Sequence, residues 1–266
     1  MSAGDISIGS LLLLSLLLLI PAFISLGFRL HMLKSLAISL GRMALQLSLV
    51  GLFLEFIFEL NHPGVNLLWL LVMILTASLT VIRSSELRLR FLLGPVLIAL
   101  GLTLTGVLFY FNLLVAGIDQ LFSARYLIPI GGMLLGNSLR ANVVALNRFF
   151  HALYEKREEF HWRLSLGASN YEASLPFFRG SLKLALSPTI ATMATMGIVS
   201  LPGMMTGQIL GGSPPATAVK YQIAIMIAIF TVIAVSVAAS IYIGQRIAFT
   251  RQGTLKEGIL RVDRTG

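Results

Sequence analysis

Long apolar runs separated by short polar segments dominate the sequence. A helix needs about 20 apolar residues to cross the hydrocarbon core of a bilayer. Runs of about this length occupy residues 7–28, 38–60, 65–82, 91–114, 126–146, 184–203 and 219–244. The pattern therefore predicts an all-α polytopic membrane protein with about seven transmembrane helices. We expect residues 1–266 to form a single transmembrane domain.

Two of these runs depart from a simple span. Arg140 falls inside the fifth run, and we expect its helix to continue out of the membrane as far as Arg163. The sixth run belongs to an uncharged stretch, residues 184–219, that is too long for one span. Pro202 removes a helix hydrogen bond and Gly203 tolerates unusual backbone angles. We expect a helix end or kink at Leu201–Gly203, near the outer surface, followed by a re-entrant or surface segment.

The composition agrees with a membrane location. Hydrophobic residues make up 56% of the chain and charged residues only 12%, whereas soluble domains carry about a quarter charged residues. The absence of cysteine excludes disulfides, thiolate metal sites and cysteine nucleophiles. The chain also has neither a Gly-x4-Gly-Lys-Ser/Thr loop for ATP phosphates nor a His-Glu-x-x-His zinc motif. We therefore expect a membrane protein that binds no cofactor itself, and an intramembrane enzyme is the less favoured interpretation.

The positive charges predict an orientation. The net charge is +9, and lysine and arginine concentrate in alternate loops, while the opposite set of loops holds only Arg125 and Lys220. Because cytoplasmic loops carry the excess of these residues, we expect the N-terminus outside and the C-terminus in the cytoplasm. A helical loop at about 147–183 and a basic tail at 245–266 would then be cytoplasmic. The charges lie in short loops rather than on a soluble face, so no nucleic-acid partner is expected.

The cytoplasmic loop contains a capped helix start. Gly167 can turn the chain with positive φ, and Ser169 followed by Glu172 is a capping box that predicts a new helix. Pro176 should kink this helix or keep it short. The helix is either a connector on the membrane surface or a docking helix for a partner that supplies force.

Several segments resemble one family of permeases. The loop segment resembles the cytoplasmic loop of ABC-transporter permeases; it reads LSLGASNYEASLPFFRGSLKLALSP, residues 164–188. Two further segments are similar to signature segments of a family that includes the bacterial iron-export permease and the plant aluminium-sensitivity and aluminium-tolerance permeases. They read IPIGGMLLGNSLRANVVALN (128–147) and GIVSLPGMMTGQILGGSPPATAVKYQI (197–223). The second span, with GRMALQLSLVG at 41–51, is also similar.

The resemblance implies a half-transporter in a bacterial inner membrane. Two permease copies would form a homodimer and bind two ATPase subunits, which would hold the ATP and Mg²⁺. The solute would be a metal ion or a metal-related solute, exported as part of metal homeostasis. The residues that would couple to the ATPase, between spans five and six, are Leu166, Gly167, Ala168, Ser169, Tyr171, Glu172, Leu175 and Phe178. The alternatives are a secondary transporter driven by an ion gradient, an organic-anion or nucleotide-sugar permease, and a membrane scaffold.

Polar residues inside the spans are the candidates for a transport path, because they are costly in lipid and usually face a bundle interior or a path. Asn137 and Arg140 share a helical face with Asn147; the alternative is contacts between helices and an arginine at the membrane edge. Glu55 and Glu59 lie four residues apart near the outer end of span two, where two carboxylates could hold a hard cation. A helix end exposed to water would explain the same pair.

Methionines gather in the family segments. Met133, Met193, Met196, Met204 and Met205 could present thioethers to a soft metal, although methionine more often fills irregular cores. After the predicted break at Pro202 and Gly203, we expect Met204, Met205 and Thr206 to line an outer gate. No ligand cage in the sequence identifies a metal.

Overall fold

The computed structural model describes residues 7–115, 122–250, 254–256 and 258–260. This part of the chain is built from helices, which confirms the all-α prediction. The α-helices are α1 (Ile8–Ser15), α2 (Leu19–Gly27), α3 (Leu33–Leu60), α4 (Pro63–Ser84), α5 (Leu89–Val115), α6 (Ala124–Glu155), α7 (Arg157–Ser165), α8 (Asn170–Thr195), α9 (Gly203–Leu210) and α10 (Pro215–Ala248). A 3₁₀ turn at Leu16–Leu18 joins α1 to α2. Parts of the predicted basic tail, residues 251–253, 257 and 261–266, lie outside the described residues.

Within the described residues, five helical stretches are long and apolar enough to cross a membrane. The chain is therefore an integral membrane protein. The five stretches are Gly9–Gly27, Leu33–Leu60, Pro63–Ser84, Leu89–Val115 and Pro215–Ala248. They match five of the predicted spans. Of the other two predicted spans, one lies in α6 and the other in the second half of α8 and the turn after it. Both helices are long but less apolar on average than these five stretches. A total of seven spans therefore stays a prediction, as does the orientation.

The core of the bundle forms around α10, which packs against α5, α6, α8 and α9. Helix α6 also packs against α4 and α8. Leu100, Phe149 and Ile233 are among the large side chains that are fully buried there. Helices α1 to α3 lie at the edge, and their leucine-rich surfaces are mostly exposed. Such surfaces suit contact with lipid tails, which are as apolar as leucine.

Hydrogen bonds fix the start of α6 beside the corner between α3 and α4. Asn61 ends α3 with a left-handed backbone at φ 36°, and Pro63 is the first residue of α4, where its missing N–H costs nothing. The Asn61 Oδ1 accepts from the Ala124 backbone N–H at 3.0 Å. Asn66 donates to the Phe122 carbonyl at 2.8 Å. Helices α4 and α6 therefore begin next to each other at this corner and pack side by side.

At the other end, Ser85 joins the end of α4 to α6. The Ser85 hydroxyl donates to the Val143 carbonyl at 3.3 Å, and Asn147 donates to the Ser85 carbonyl at 3.3 Å. Asn147 is therefore engaged between helices. Arg140 precedes Val143 by three residues, so it lies about 5 Å along α6 from the level at which α4 ends.

Helix α8 begins where the capping box predicts, but it is not short. It continues through Pro176 and Pro188 to Thr195, so the expectation that Pro176 would limit its length is wrong. The buried residues on α8 recur at helical spacing along the side that packs on the bundle; they are Ala173, Ser174, Phe177, Ser181 and Ala185. This packing holds the helix together across the hydrogen bonds that the prolines remove. The predicted coupling helix is therefore the first part of a long helix rather than a separate one.

Two further boundaries differ from the sequence prediction. The helix that leaves the fifth run is interrupted at Lys156, so that α6 and α7 are separate helices. The sixth run is not one helix, because α8 ends at Thr195 and α9 begins at Gly203 with Pro202 as its N-cap. Gly197 has φ 87° in the intervening turn and donates to the Ser200 carbonyl at 2.9 Å. The chain is broken before Gly203 as predicted, but α8 ends at Thr195, six residues before Leu201, where the helix end was expected. The position of this break near the outer surface stays a prediction.

Candidate functional site

A cavity of about 410 Å³ lies between α6, α8 and α10, with the start of α9 at its edge. It brings together six residues that the sequence analysis selected for a path or gate, which are Met133, Asn137, Arg140, Pro202, Gly203 and Met204. Each helix contributes one face at helical spacing. On α8 this face is Leu184, Pro188 and Thr192, and on α10 it is Gln222, Met226 and Ile229. Met196 and Met204, on either side of the break between α8 and α9, also line this cavity.

A second cavity of about 350 Å³ adjoins the first and holds Met193 and Met205. Both cavities share Met196, Pro202, Gln222 and Met226 as lining residues. The thioethers of Met196 and Met226 and the amide of Gln222 therefore lie at the boundary between the two cavities. The methionines that cluster in the sequence do meet in the fold, and Met226 joins them from α10.

The polar groups of the first cavity are few. Arg140 is its one charged lining residue, and among the described residues it has neither an ion pair nor a hydrogen bond. Asn137 donates to the Met133 carbonyl of its own helix at 2.8 Å. Gln222 is only 6% exposed, its Nε2 lies 3.8 Å from the Met196 sulfur, and its Oε1 has no partner among the described residues. The cavity is thus an apolar, thioether-rich space with one free cation and two amides.

Three of the predicted residues lie outside both cavities. Glu55 and Glu59 are exposed on α3, a helix that contributes to neither cavity lining. Thr206 is half-buried, and its hydroxyl donates to the Pro202 carbonyl at 3.1 Å. The described residues contain no group of three or more His, Cys, Asp or Glu side chains placed to hold a metal ion.

The segment between α7 and α8 is a double cap. Gly167 has φ 91°. Its N–H donates to the Leu164 carbonyl at 2.9 Å, and the Ala168 N–H donates to the Arg163 carbonyl at 3.2 Å, which is the hydrogen-bond pattern of a Schellman C-cap. The capping box of α8 follows at once. Orphan backbone groups at both helix ends are therefore satisfied within one short turn.

The predicted apolar face of this segment is divided. Leu166 and Tyr171 are exposed, while Leu175 is half-buried. Ala168 and Phe178 pack against the hydrophobic core. Only Leu166 and Tyr171 therefore present large apolar surface outward.

The end of α10 adds residues that the sequence analysis missed. The Tyr171 ring meets the Tyr242 ring edge to face, with centroids 6.2 Å apart. The Arg246 guanidinium lies 4.5 Å from the Tyr242 ring centroid and hydrogen-bonds its hydroxyl, and the Ser174 hydroxyl donates to Gln245 at 3.0 Å. Tyr242 and Arg246 are four residues apart at the polar end of span seven. Their spacing was visible in the sequence, but their position beside α8 was not.

Comparison with known proteins identifies the family of the chain. The uncharacterised protein family UPF0014 matches residues 8–249. The chain is 35% identical over 205 residues to a UPF0014 membrane protein of Synechocystis, covering 76% of this chain and 79% of that one. It is 31% identical over 247 residues to the probable iron export permease protein FetB of Escherichia coli, covering 92% and 93%. No solved structure matches the chain.

A plant protein is also similar. The chain is 31% identical over 227 residues to Protein ALUMINUM SENSITIVE 3 of Arabidopsis thaliana, covering 85% of this chain and 81% of that protein. The resemblance drawn from residues 128–147 and 197–223 is thereby confirmed. The family match spans all the helices that form the cavities and the double cap. The chain belongs to the UPF0014 family of membrane proteins.

Proposed function

We propose that this chain is the membrane-spanning permease subunit of an ABC transporter that exports a metal ion or a metal-related solute. A separate ATPase subunit hydrolyses the ATP. The observation that carries the proposal is the double cap at Gly167, which leads directly into a helix that lines the central cavity. The name of the Escherichia coli relative, a probable iron export permease, supports the direction and the solute.

The double cap is suited to receive force. Its two ends are held by backbone and side-chain hydrogen bonds, and Leu166 and Tyr171 are exposed beside it for contact with a partner. Helix α8 has 26 residues and is therefore about 39 Å long. The same helix carries Leu184, Pro188 and Thr192 into the cavity wall. A displacement at Gly167 would therefore reach the cavity through one continuous element.

The coupling surface extends beyond the residues selected from the sequence. A surface cavity of about 390 Å³ lies beside Tyr171 and is lined from α10 by Tyr242, Gln245 and Arg246. An ATPase docked at Leu166 and Tyr171 would reach α10 there as well. Two of the three helices that wall the transport cavity, α8 and α10, would then respond to the same partner.

The complete transporter follows the arrangement that ABC half-transporters use. Two copies of this single-domain permease form a homodimer in the bacterial inner membrane, with the double cap in the cytoplasm. ATP and Mg²⁺ are held by the ATPase subunits, and this chain holds no cofactor and no nucleic acid. A secondary transporter driven by an ion gradient is the second candidate, and it would work without any ATPase.

The experiment compares two glycine variants in a permease co-expressed with a candidate ABC ATPase from the same organism. A Cβ at either Gly167 or Gly180 would meet no atom within 4 Å, but only Gly167 has positive φ. Gly167→Ala therefore strains the double cap by about 1–3 kcal/mol without a steric clash, and Gly180→Ala is its matched control inside α8. We expect the wild type and Gly180→Ala to retain the ATPase and stimulate its turnover, and Gly167→Ala to lose most of both.

Equal ATPase recovery and equal turnover for Gly167→Ala would show that the segment is only a connector. Solute export by the permease in vesicles without ATPase, driven by a proton gradient, would support the secondary transporter instead.

A further inference from the structure

The charge in the central cavity limits what the cavity can bind. Its lining contains Arg140 and no carboxylate. Arg140 is an exposed residue of α6, about one turn from the level at which α4 ends, and it has no partner among the described residues. Charged side chains within transmembrane helices normally pair with an opposite charge or face a path. The one charge that this lining offers to a bound molecule is positive, which suits an anion.

Gln222 is a second, independent sign of a ligand. It reaches the cavity from α10, it is more than nine-tenths buried, and its Oε1 has no partner among the described residues. Buried polar atoms in folded proteins are nearly always hydrogen-bonded. The Gln222 side chain therefore lies in the cavity wall with an unsatisfied oxygen, which a rotation of its amide would present to a polar group of a bound molecule.

The same lining disfavours a bare cation. Hard divalent ions take carboxylate and carbonyl oxygens as ligands, and this cavity offers no carboxylate. Thioethers could hold a soft cation, but the Arg140 guanidinium repels positive charge. An anion whose remaining part is uncharged suits both the positive charge and the apolar lining of this cavity. Its charged group would pair with Arg140, and its uncharged part would contact Met133, Met204 and Met226.

We propose that this cavity binds an anionic solute through Arg140 and Gln222, and that a metal, where one is transported, enters as an anionic chelate. The anionic group is a carboxylate or a phosphate, both of which match the fork of a guanidinium. The volume of about 410 Å³ lies within the range of about 300–1,000 Å³ that small-molecule sites occupy. This inference rests on the proposed function, because it names the solute class of the proposed transport path.

The test measures binding to the permease alone in lipid nanodiscs, so that it does not depend on an ATPase. Isothermal titration calorimetry would compare ferric citrate, citrate and pyrophosphate with Fe²⁺ and Mn²⁺ alone. Wild type should bind at least one of the three anions more tightly than either bare cation. Arg140→Gln should weaken that binding about tenfold or more, and Arg140→Lys should retain part of it because the charge remains.

Two further variants complete the design. Arg125→Gln makes the same charge change on the same helix outside the cavity, and it should bind as the wild type does. Gln222→Met keeps the shape of the side chain and should weaken binding about threefold, which gives a second reading if Arg140→Gln fails to fold. The proposal is overturned if none of the anions binds, if Arg140→Gln binds them as tightly as the wild type, or if Fe²⁺ or Mn²⁺ alone binds more tightly than every anion.

The outcome is separate from that of the proposed function. Anion binding that depends on Arg140, in a permease that stimulates no ATPase, would leave this inference standing and remove the ABC mechanism. ATPase stimulation without Arg140-dependent binding would do the reverse.

Discussion

At the scale of single residues, the start of α8 is held by reciprocal hydrogen bonds between Ser169 and Glu172. The Glu172 N–H donates to the Ser169 hydroxyl at 3.2 Å, and Glu172 Oε2 accepts from the Ser169 backbone N–H and hydroxyl, each at 2.8 Å. The backbone N–H, and then the hydroxyl, hold the pKa of Glu172 below its ordinary value. A lowered pKa means that the carboxylate stabilises the folded cap above its ordinary pKa, and that this contribution is lost as the pH falls through the folded-state pKa.

The first prediction concerns Ser169→Ala. Loss of the hydroxyl should cost about 1 kcal/mol of local helix stability, seen as faster hydrogen exchange at the backbone amides of Tyr171–Ala173. The pKa of Glu172, followed by NMR of its side-chain carboxyl, should rise only part of the way, because the backbone N–H donor remains. Ser165→Ala is the control, since the Ser165 hydroxyl donates to the Trp162 carbonyl of its own helix and caps nothing. Unchanged exchange in Ser169→Ala would show that the capping box does not stabilise α8.

At the scale of elements, polar contacts between helices set the register of the bundle. The Asn142 amide, fully buried on α6, donates to the Ser236 hydroxyl of α10 at 3.0 Å and to the Ser138 carbonyl at 2.9 Å. The hydroxyls of Ser138 and Ser236 lie 2.7 Å apart. In lipid, where apolar contacts between helices gain little over contacts with lipid tails, such bonds help to decide which faces meet.

The second prediction separates this contact from the neighbouring cavity. Asn142→Ala should lower the free energy of unfolding by roughly 1–2 kcal/mol, because it removes the amide bond to the Ser236 hydroxyl of α10 and leaves only the bond between the two serine hydroxyls. Asn137→Ala is the matched control on the same helix, since the Asn137 amide bonds only within α6. Denaturation by sodium dodecyl sulfate in mixed micelles measures both variants. Equal loss of stability in the two variants would mean that the hydrogen bond from Asn142 to α10 does not stabilise the bundle more than a bond within α6 does.

At the scale of the whole molecule, hydrogen bonds between helices show which helix ends lie together on the same side of the bundle. The start of α6 lies at the corner between α3 and α4, and the start of α8 lies beside the end of α10. The distribution of lysine and arginine predicts that the first of these sides is external and the second cytoplasmic. The orientation therefore decides whether an ATPase can reach the double cap at all.

The third prediction tests that orientation by labelling single cysteines in this naturally cysteine-free chain. Ser165 and Ala216 are both exposed, the first at the end of α7 and the second at the start of α10. A membrane-impermeant maleimide applied to intact cells should label Ala216→Cys and leave Ser165→Cys unlabelled until the cells are permeabilised. Labelling of Ser165→Cys from outside would reverse the orientation and remove the proposed ATPase site.

The sequence by itself determined the features that depend on neighbouring residues. Apolar run length predicted the five most apolar spans, because each helix satisfies its own backbone hydrogen bonds in lipid. The turn at Gly167 and the cap at Ser169 and Glu172 were predicted from residues only a few positions apart. Helical spacing was enough to place Asn137 and Arg140 on one face of α6.

Only the tertiary structure decided how those elements combine. Pro176 has the same local effect in any helix, but the packing of Phe177 and its neighbours on the bundle keeps α8 continuous past it. Gln222 belongs to the cavity because α10 packs against both α6 and α8, whereas Glu55 lies outside it because α3 packs at the edge. Side chains that meet across helices are far apart in the chain. Their meeting depends on which faces pack together, and that choice is made by the whole bundle rather than by any local stretch.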